Sequence, residues 1–174
     1  MDLQIFEQRY LTLITHCLKD QATFGVVQIR EGREVGSTPQ IFQFGVEAAI
    51  VDWRQQPNGL LGISIEGRRK FTVDSTSVQS DHLMQAQVTW LPDEPREALT
   101  ERHEGLLDLY QQLREHPLVQ RLQLPQARYS CELGWHLSQL LPFPAPEKVA
   151  LLSMHDPEAR LLEIEQQLRN LSQD

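Results

Sequence analysis

The neighbouring residues His103 and Glu104 are the part of this sequence that most resembles a catalytic motif. They match the beginning of HExxH, in which two histidines one helical turn apart bind Zn²⁺ and the glutamate acts as general base. Leu107 stands where the second histidine would be. Two metal ligands therefore cannot come from one helical face, and the sequence predicts no metal site.

Motifs that bind phosphates or carry a nucleophile are missing from the sequence. A GxxxxGK[ST] loop needs a lysine after its glycines, and none of Lys19, Lys70 and Lys148 follows that pattern. GxGxxG and GxSxG are also missing, which argues against a dinucleotide site and a serine nucleophile. The scattered histidines and carboxylates nominate no general acid or base. We therefore expect no catalytic residue, no cofactor and no enzyme activity.

The two cysteines, Cys17 and Cys131, lie far apart and neither belongs to a CxxC pair. Each falls in a segment that resembles an amphipathic helix, where a free cysteine behaves as a small apolar residue. We predict two reduced cysteines in the core.

The charge balance argues against nucleic acid as a partner. The formal net charge is -8, and residues 1–95 and 96–174 each hold 8 basic and 12 acidic residues. Neither half offers the excess of lysine and arginine that dominates affinity for phosphates. The one dense basic run, Arg68 to Lys70, is interpreted as a solvated strand end after a turn at Gly67, with a small anion site as the alternative.

The first half of the chain has mostly the two-residue period of β-strands. A short amphipathic helix is predicted over residues 7–19, and the residues before it form only a strand stub. Five strands joined by tight connections favour a closed or nearly closed antiparallel barrel. They are predicted over residues 24–30, 44–53, 60–65, 71–78 and 84–90, with a turn at Asn58-Gly59.

The second half has the period of α-helices. A long helix from Leu99 is predicted to stop before Pro117, and further helices follow over residues 128–141 and 146–154. Asp156 is predicted to cap the last helix, in which Leu161, Ile164 and Leu168 share a face. The sequence thus predicts an α+β protein with a β-barrel over residues 1–93 and a helical part over 94–174.

The apolar segments are too short and too interrupted for a membrane helix, and the N-terminus lacks the pattern of a signal peptide. A soluble, cytoplasmic protein is expected. Apolar residues at strand ends, among them Trp53, Trp90 and residues 3–6, either complete the core or offer a groove to a partner.

Several segments in the same order resemble the N-terminal substrate-binding domain of Lon proteases. They include Ile5-Phe6-Glu7-Gln8-Arg9-Tyr10-Leu11, Phe24-Gly25-Val26-Val27, Val35-Gly36, the stretch from Gly59 to Phe71, Leu140-Leu141-Pro142-Phe143-Pro144 and Asp156-Pro157-Glu158-Ala159-Arg160-Leu161. The resemblance implies a PUA-like barrel followed by a C-terminal helical bundle, and a role in holding protein substrates. Since neither an ATPase nor a protease domain is present, the chain resembles the stand-alone bacterial form.

The chain departs from the family pattern at two places. Gln8 stands where the family usually has proline, and Met1 falls where an additional apolar strand and a Pro-Gly turn would precede Leu3. We expect that the start was placed too late. If that strand is truly missing, a neighbouring strand is left with unpaired backbone groups that can pair with another chain.

The leading functional hypothesis is a non-catalytic module for unfolded or partly folded polypeptides, related to proteolysis. The residues nominated for binding are Ile5, Phe6, Arg9, Tyr10 and Trp53, the first four on the family motif alone. The alternative from another class is RNA binding, through Arg30, Arg33, Arg68, Arg69 and Lys70. A third hypothesis is self-association as a homodimer, for example through the last helix.

Overall fold

The computed structural model describes residues 1–32 and 39–171, so the nominated Arg33 and the matched Val35-Gly36 lie outside the described residues. The chain divides into two compact units, Met1–Pro92 and Asp93–Asp174. Each unit contains an apolar core of its own.

The first unit consists of five strands and one helix. In chain order they are β1 (Asp2–Ile5), α1 (Gln8–Asp20), β2 (Phe24–Glu31), β3 (Gln40–Gln55), β4 (Leu61–Val78) and β5 (Met84–Trp90). Because side chains alternate between the faces of a strand, Ile63 and Ile65 point to the same side and are both buried. Ile14 of α1 and Ile5 of β1 pack into the same core cluster.

Strand β4 is the centre of an antiparallel sheet. One side of β4 pairs with β3, and the other pairs with β1 near its beginning and with β5 near its end. β2 lies beyond β3. Between the described strands no pairing joins β2 to β1 or β5, so the barrel is not closed, and of the closed or nearly closed barrel expected from the sequence the closed form is wrong. Closure needs partners along the whole strand, whereas three short strands flank two long ones.

The region between residues 60 and 78 also differs from the prediction, because it forms one strand and not two. A bulge at Arg68 and Arg69 places both residues opposite Glu47 and lets β4 continue past Gly67 without a turn. The predicted turn at Asn58-Gly59 is confirmed, and Gly59 adopts a φ of 82° that favours glycine.

The second unit is helical. A 3₁₀ turn (Glu101–His103) leads into α2 (Glu104–Glu115), which is followed by α3 (Pro117–Gln120), α4 (Ser130–Leu140), α5 (Ala145–Ser153) and α6 (Pro157–Leu171). α2 ends before Pro117 as predicted, and the Asp156 carboxylate accepts hydrogen bonds from the first backbone N–H groups of α6. Leu133, Leu137 and Ile164 are fully buried where α4 and α6 pack together.

A buried ion pair lies inside the second unit. The Arg160 guanidinium donates two hydrogen bonds of 2.7 and 2.8 Å to the Glu94 carboxylate, and the exposed fractions of the two side chains are 0% and 3%. Arg160 Nε also donates to the Leu151 carbonyl at 2.7 Å, while Trp135 Nε1 donates to Glu94 at 3.0 Å. The pair therefore ties the start of the unit to α4, α5 and α6.

Candidate polypeptide-binding edge

The end of β3 extends beyond its neighbour on one side. β2 pairs with β3 only as far as Ala48, whereas β4 accompanies β3 to Gln55. Residues 51–55 are all exposed. We call the backbone of residues 51–55 on the side away from β4 the β3 edge. No described strand pairs with it, so it presents the hydrogen-bonding groups to which a further strand can add.

The hydrogen-bond pattern identifies which residues present those groups. Ile65 exchanges both of its backbone hydrogen bonds with Met1, so the next residue, Ser64, directs its backbone groups toward β3 and Asp52. Backbone direction alternates along a strand. The N–H and C=O groups of Asp52 and Arg54 therefore point toward β4, and those of Trp53 and Gln55 point outward along the β3 edge.

Large apolar side chains accompany this edge. Trp53 lies opposite Ile63, which in turn lies opposite Leu3 of β1. Ile63 is buried, but Trp53 is 59% exposed and Val51 55% exposed. Across the three strands, the row Leu3, Ile63 and Trp53 therefore begins in the core and ends at a solvent-exposed side chain. Phe6 is 59% exposed as well, but it follows β1, which lies on the side of β4 away from β3.

The opposite face of the same strands is polar. Asp52 pairs with Ser64, which pairs with Asp2, and the Ser64 hydroxyl donates a 2.6 Å hydrogen bond to the Asp2 carboxylate. A shallow groove of about 330 Å³ is lined by these residues and by Gln4, Arg54 and Gln56. The β3 edge thus separates an apolar face from a charged one, as a half-buried strand would.

The residues nominated from the sequence separate into two groups. Ile5 is buried and Tyr10 is half-buried, and both belong to the core around α1. Arg9 pairs with Glu7 at 2.9 Å, donates to the His82 carbonyl at 2.8 Å and lies over the Tyr10 ring. These three residues hold the fold together. Phe6 and Trp53 are exposed, and their role in binding remains a prediction.

Three of the basic residues of the RNA hypothesis, Arg30, Arg68 and Arg69, have carboxylate or amide partners. Arg69 pairs with Glu47 at 2.9 Å and lies 3.9 Å above the Trp90 ring, while Arg68 pairs with Glu66 at 3.2 Å. Hydrogen bonds from Arg69 and then from Thr23 hold the pKa of Glu47 below its ordinary value. Arg30 contacts the Gln40 side chain. These pairings reduce the positive charge that the three arginines can offer to a phosphate backbone.

His103 caps a helix and is not placed as a metal ligand. Its Nδ1 accepts a 3.0 Å hydrogen bond from the Thr100 backbone N–H, and its Nε2 lies 3.1 Å from the Glu158 carboxylate and 3.2 Å from Arg102 Nε. Over residues 1–32 and 39–171, no three His, Cys, Asp or Glu side chains gather as metal ligands. The described helices include none long and apolar enough to span a membrane.

Both cysteines are free and buried. Burial raises the pKa of the Cys17 thiol and of the Cys131 thiol, which lowers the thiolate fraction of each. The predicted role as apolar core residues is confirmed.

Sequence reasoning missed Val51, Asp52 and Arg54 as members of the β3 edge. The predicted strand stopped at residue 53, two residues before β3 ends. The strands predicted over residues 24–30 and 44–53 differ little in length, whereas β3 has 16 residues against 8 in β2. A strand that outruns its partner must leave part of one side open.

Comparison with known proteins places this geometry in a family. Residues 1–170 match the family model described as ATP-dependent protease La (LON) substrate-binding domain. The Lon protease of Cytophaga hutchinsonii is 32% identical over 94 residues, which cover 53% of this chain and 11% of that protein. The match thus spans about a tenth of the length of that curated relative.

Two solved structures have the same fold. A Lon N-terminal domain protein from Xanthomonas campestris superimposes with a TM-score of 0.76 at 26% identity, covering 95% of this chain and 88% of that one. The N-terminal domain of the Mycobacterium avium complex Lon protease gives 0.59 at 14% identity, covering 94% and 86%. The second likeness is one of fold alone.

Proposed function

Because the chain belongs to the family of Lon substrate-binding domains, we propose that it is a non-catalytic module that holds unfolded or partly folded polypeptides. The family model describes a substrate-binding domain and not a catalytic one. The proposal concerns this domain alone and is independent of what surrounds it in the full protein.

The observation that carries the proposal is the exposed apolar surface beside the β3 edge. We call a polypeptide that this module holds a client. An extended client segment can add to the sheet through backbone hydrogen bonds to Trp53 and Gln55. Because these bonds involve only the backbone, they require no particular client sequence. The exposed Trp53 and Val51 side chains supply apolar contact for the client. Such a surface selects for unfolded segments, since a folded protein has few free strands.

A titration tests the proposal. A fluorescently labelled, permanently unfolded polypeptide is added to the protein and its anisotropy is followed at low and high salt. We expect saturable binding in the micromolar range with little dependence on salt, because apolar contact and backbone hydrogen bonds are weakly screened. No saturable binding would contradict the proposal.

Variants locate the surface. Trp53→Ser and Phe6→Ser should each weaken client binding by about tenfold, the loss typical of an exposed aromatic anchor. Leu162→Ser is a matched control, because Leu162 is 64% exposed on α6 in the other unit. Equal losses in all three variants would mean that the apolar surface beside the β3 edge is not the binding surface.

A further inference from the structure

We propose that a second copy of this chain also fits the β3 edge, so that two copies pair antiparallel about a two-fold axis at Trp53. The inference concerns self-association and does not depend on the client-binding proposal. It follows from the direction of the backbone groups and from the order of the charges along residues 51–55.

The backbone limits the registers in which two such edges can pair. Outward groups belong to Trp53 and Gln55, and neither residue can pair with one whose backbone groups already bond to β4. Three central registers satisfy this condition, with the two-fold axis at Asp52, at Trp53 or at Arg54, because Trp53 then faces Val51, Trp53 or Gln55 of the second copy. The intermediate registers would place an outward residue opposite one that already bonds to β4.

The charges select one of the three registers. An axis at Asp52 places the two Asp52 carboxylates opposite each other, and an axis at Arg54 does the same with two guanidinium groups. Like charges directly opposite are unfavourable. An axis at Trp53 instead places Asp52 of each copy opposite Arg54 of the other, so both cross-strand pairs are attractive.

The geometry at the Trp53 axis suits these contacts. The two Trp53 residues would exchange backbone hydrogen bonds, which makes Asp52 and Arg54 a non-hydrogen-bonded pair, the type in which opposite side chains come closest. Val51 would face Gln55 of the second copy. The two Trp53 side chains, each 59% exposed as a monomer, would lie next to each other across the axis.

Features at both ends keep the pairing short. The bulge between Ile50 and Asp52 interrupts the regular edge on one side. Pro57, which has no N–H to donate, follows closely on the other side. Since the contact is isologous, it closes with two copies and does not propagate into a fibre. The small area predicts a weak, reversible dimer.

Sedimentation equilibrium of the full chain at low salt tests the proposal. We expect a reversible monomer–dimer equilibrium for the native sequence. Asp52→Arg and Arg54→Asp should each raise the dissociation constant about tenfold or more, because each turns two attractive pairs into two repulsive ones. Arg121→Asp, the same charge reversal at an exposed position of the helical unit, should leave it unchanged.

Mixing the two variants gives the decisive result. In the mixed dimer, positions 52 and 54 are both arginine in one copy and both aspartate in the other, so each cross-strand pair is attractive again. Asp52→Arg and Arg54→Asp together should therefore form a heterodimer although neither dimerises well alone. The proposal would be overturned if the native chain stayed monomeric at every concentration. It would also be overturned if the mixture associated no more strongly than either variant alone.

The test of self-association is separate from the test of client binding. A client titration at a protein concentration low enough to keep the chain monomeric is unaffected by either outcome, so one proposal can fail without the other.

Discussion

At the scale of single residues, a substitution in the buried pair of Glu94 and Arg160 is expected to have the largest effect on the free energy of unfolding. Every polar group of the pair faces a partner on α4, α5 or α6 or the other member of the pair. Removing one member therefore leaves a charge buried without its counter-ion, which costs much more than the pair itself contributes.

Arg160→Met should lower the free energy of unfolding by about 3–5 kcal/mol, because the Glu94 carboxylate would stay buried without its counter-ion. Chemical denaturation measures the loss. Arg169→Met is the control: Arg169 pairs with Glu165 at 3.6 Å on the exposed side of α6, and its loss should change stability by less than about 0.5 kcal/mol. Equal effects would show that the Glu94–Arg160 pair is solvated in solution.

The second prediction concerns His136, which stacks on the buried Tyr110 ring at 5.1 Å between ring centres. Burial lowers the pKa of His136, Arg114 lowers it further, and Glu132 opposes this. A lowered pKa means that the unfolded chain binds more protons than the folded one. Stability should therefore be complete above the ordinary pKa of about 6.5 and decline as the pH falls below it.

Unfolding measured at several pH values for the native chain and for His136→Phe tests this prediction. The phenylalanine ring keeps the stack but cannot bind a proton, so the difference in stability between the two proteins should shift in favour of the variant as the pH falls through about 6. A difference that does not change with pH would show that His136 is not buried as a neutral ring.

Some residue roles could be predicted from the sequence and others could not. Arg160 lies on the same helical face as the buried Pro157 and Ile164, three and four positions away, but an arginine is ordinarily expected to be exposed. Its partner Glu94 is 66 positions away in a proline-flanked segment. Local pattern gives no information on a contact of that range, so the ion pair required the structure.

At the scale of elements, Gly45 determines how β3 packs against β4. A Cβ atom at Gly45 would lie 2.4 Å from the Phe71 ring and 2.7 Å from Val27. Phe71 is buried and contacts the Trp90 ring edge-on at 5.8 Å, so it has little room to move. Because residue 45 has no side chain, the Phe71 ring can occupy the space above it and still contact the Trp90 ring.

Gly45→Ala should therefore destabilise the first unit by about 1–3 kcal/mol, the cost of overpacking a rigid core. Gly105→Ala provides the comparison, because nothing lies within 4 Å of its Cβ position near the start of α2, and there alanine should be neutral or stabilising. Thermal unfolding of both variants checks the prediction. A neutral Gly45→Ala would mean that the Phe71 ring moves freely.

The elements themselves were the most predictable part of the molecule. Alternating and helical periods located the strands and helices to within a few residues, because they report which face is buried. Two errors arose where burial was not the determinant. The turn predicted at Gly67 is replaced by a bulge at Arg68 and Arg69, and barrel closure depends on strand lengths and stagger that periodicity does not encode.

At the scale of the whole molecule, the two compact units are expected to unfold as separate cooperative blocks. Leu151 and Trp135, which bond to the Glu94–Arg160 pair, lie within residues 93–171, and the sheet hydrogen bonds lie within residues 1–92. The tryptophans report on them separately, since Trp53 and Trp90 belong to the first unit and Trp135 to the second.

Arg160→Met should therefore shift the transition of the second unit and leave that of the first in place. Hydrogen exchange followed by mass spectrometry distinguishes the unfolding of the two units, because peptides from each unit are measured independently. Loss of protection in both units to the same extent would contradict the prediction and would mean that residues 1–93 and 94–174 are not separate folding units.

The family resemblance allowed the function to be proposed from sequence, but not the location of the binding surface. The motif nominated residues 5 to 10, of which the structure leaves only Phe6 exposed among the nominated side chains. The open edge of β3 results from the lengths of strands paired across the sheet, which no single segment of the sequence reveals.

The most direct test of client binding is amide hydrogen exchange at the β3 edge, measured by NMR on dilute protein with and without a saturating unfolded polypeptide. We predict slower exchange at Trp53 and Gln55, whose N–H groups point outward, and little change at Asp52 and Arg54, whose N–H groups already bond to β4. Client binding with no change in exchange at Trp53 and Gln55 would contradict strand addition at this edge.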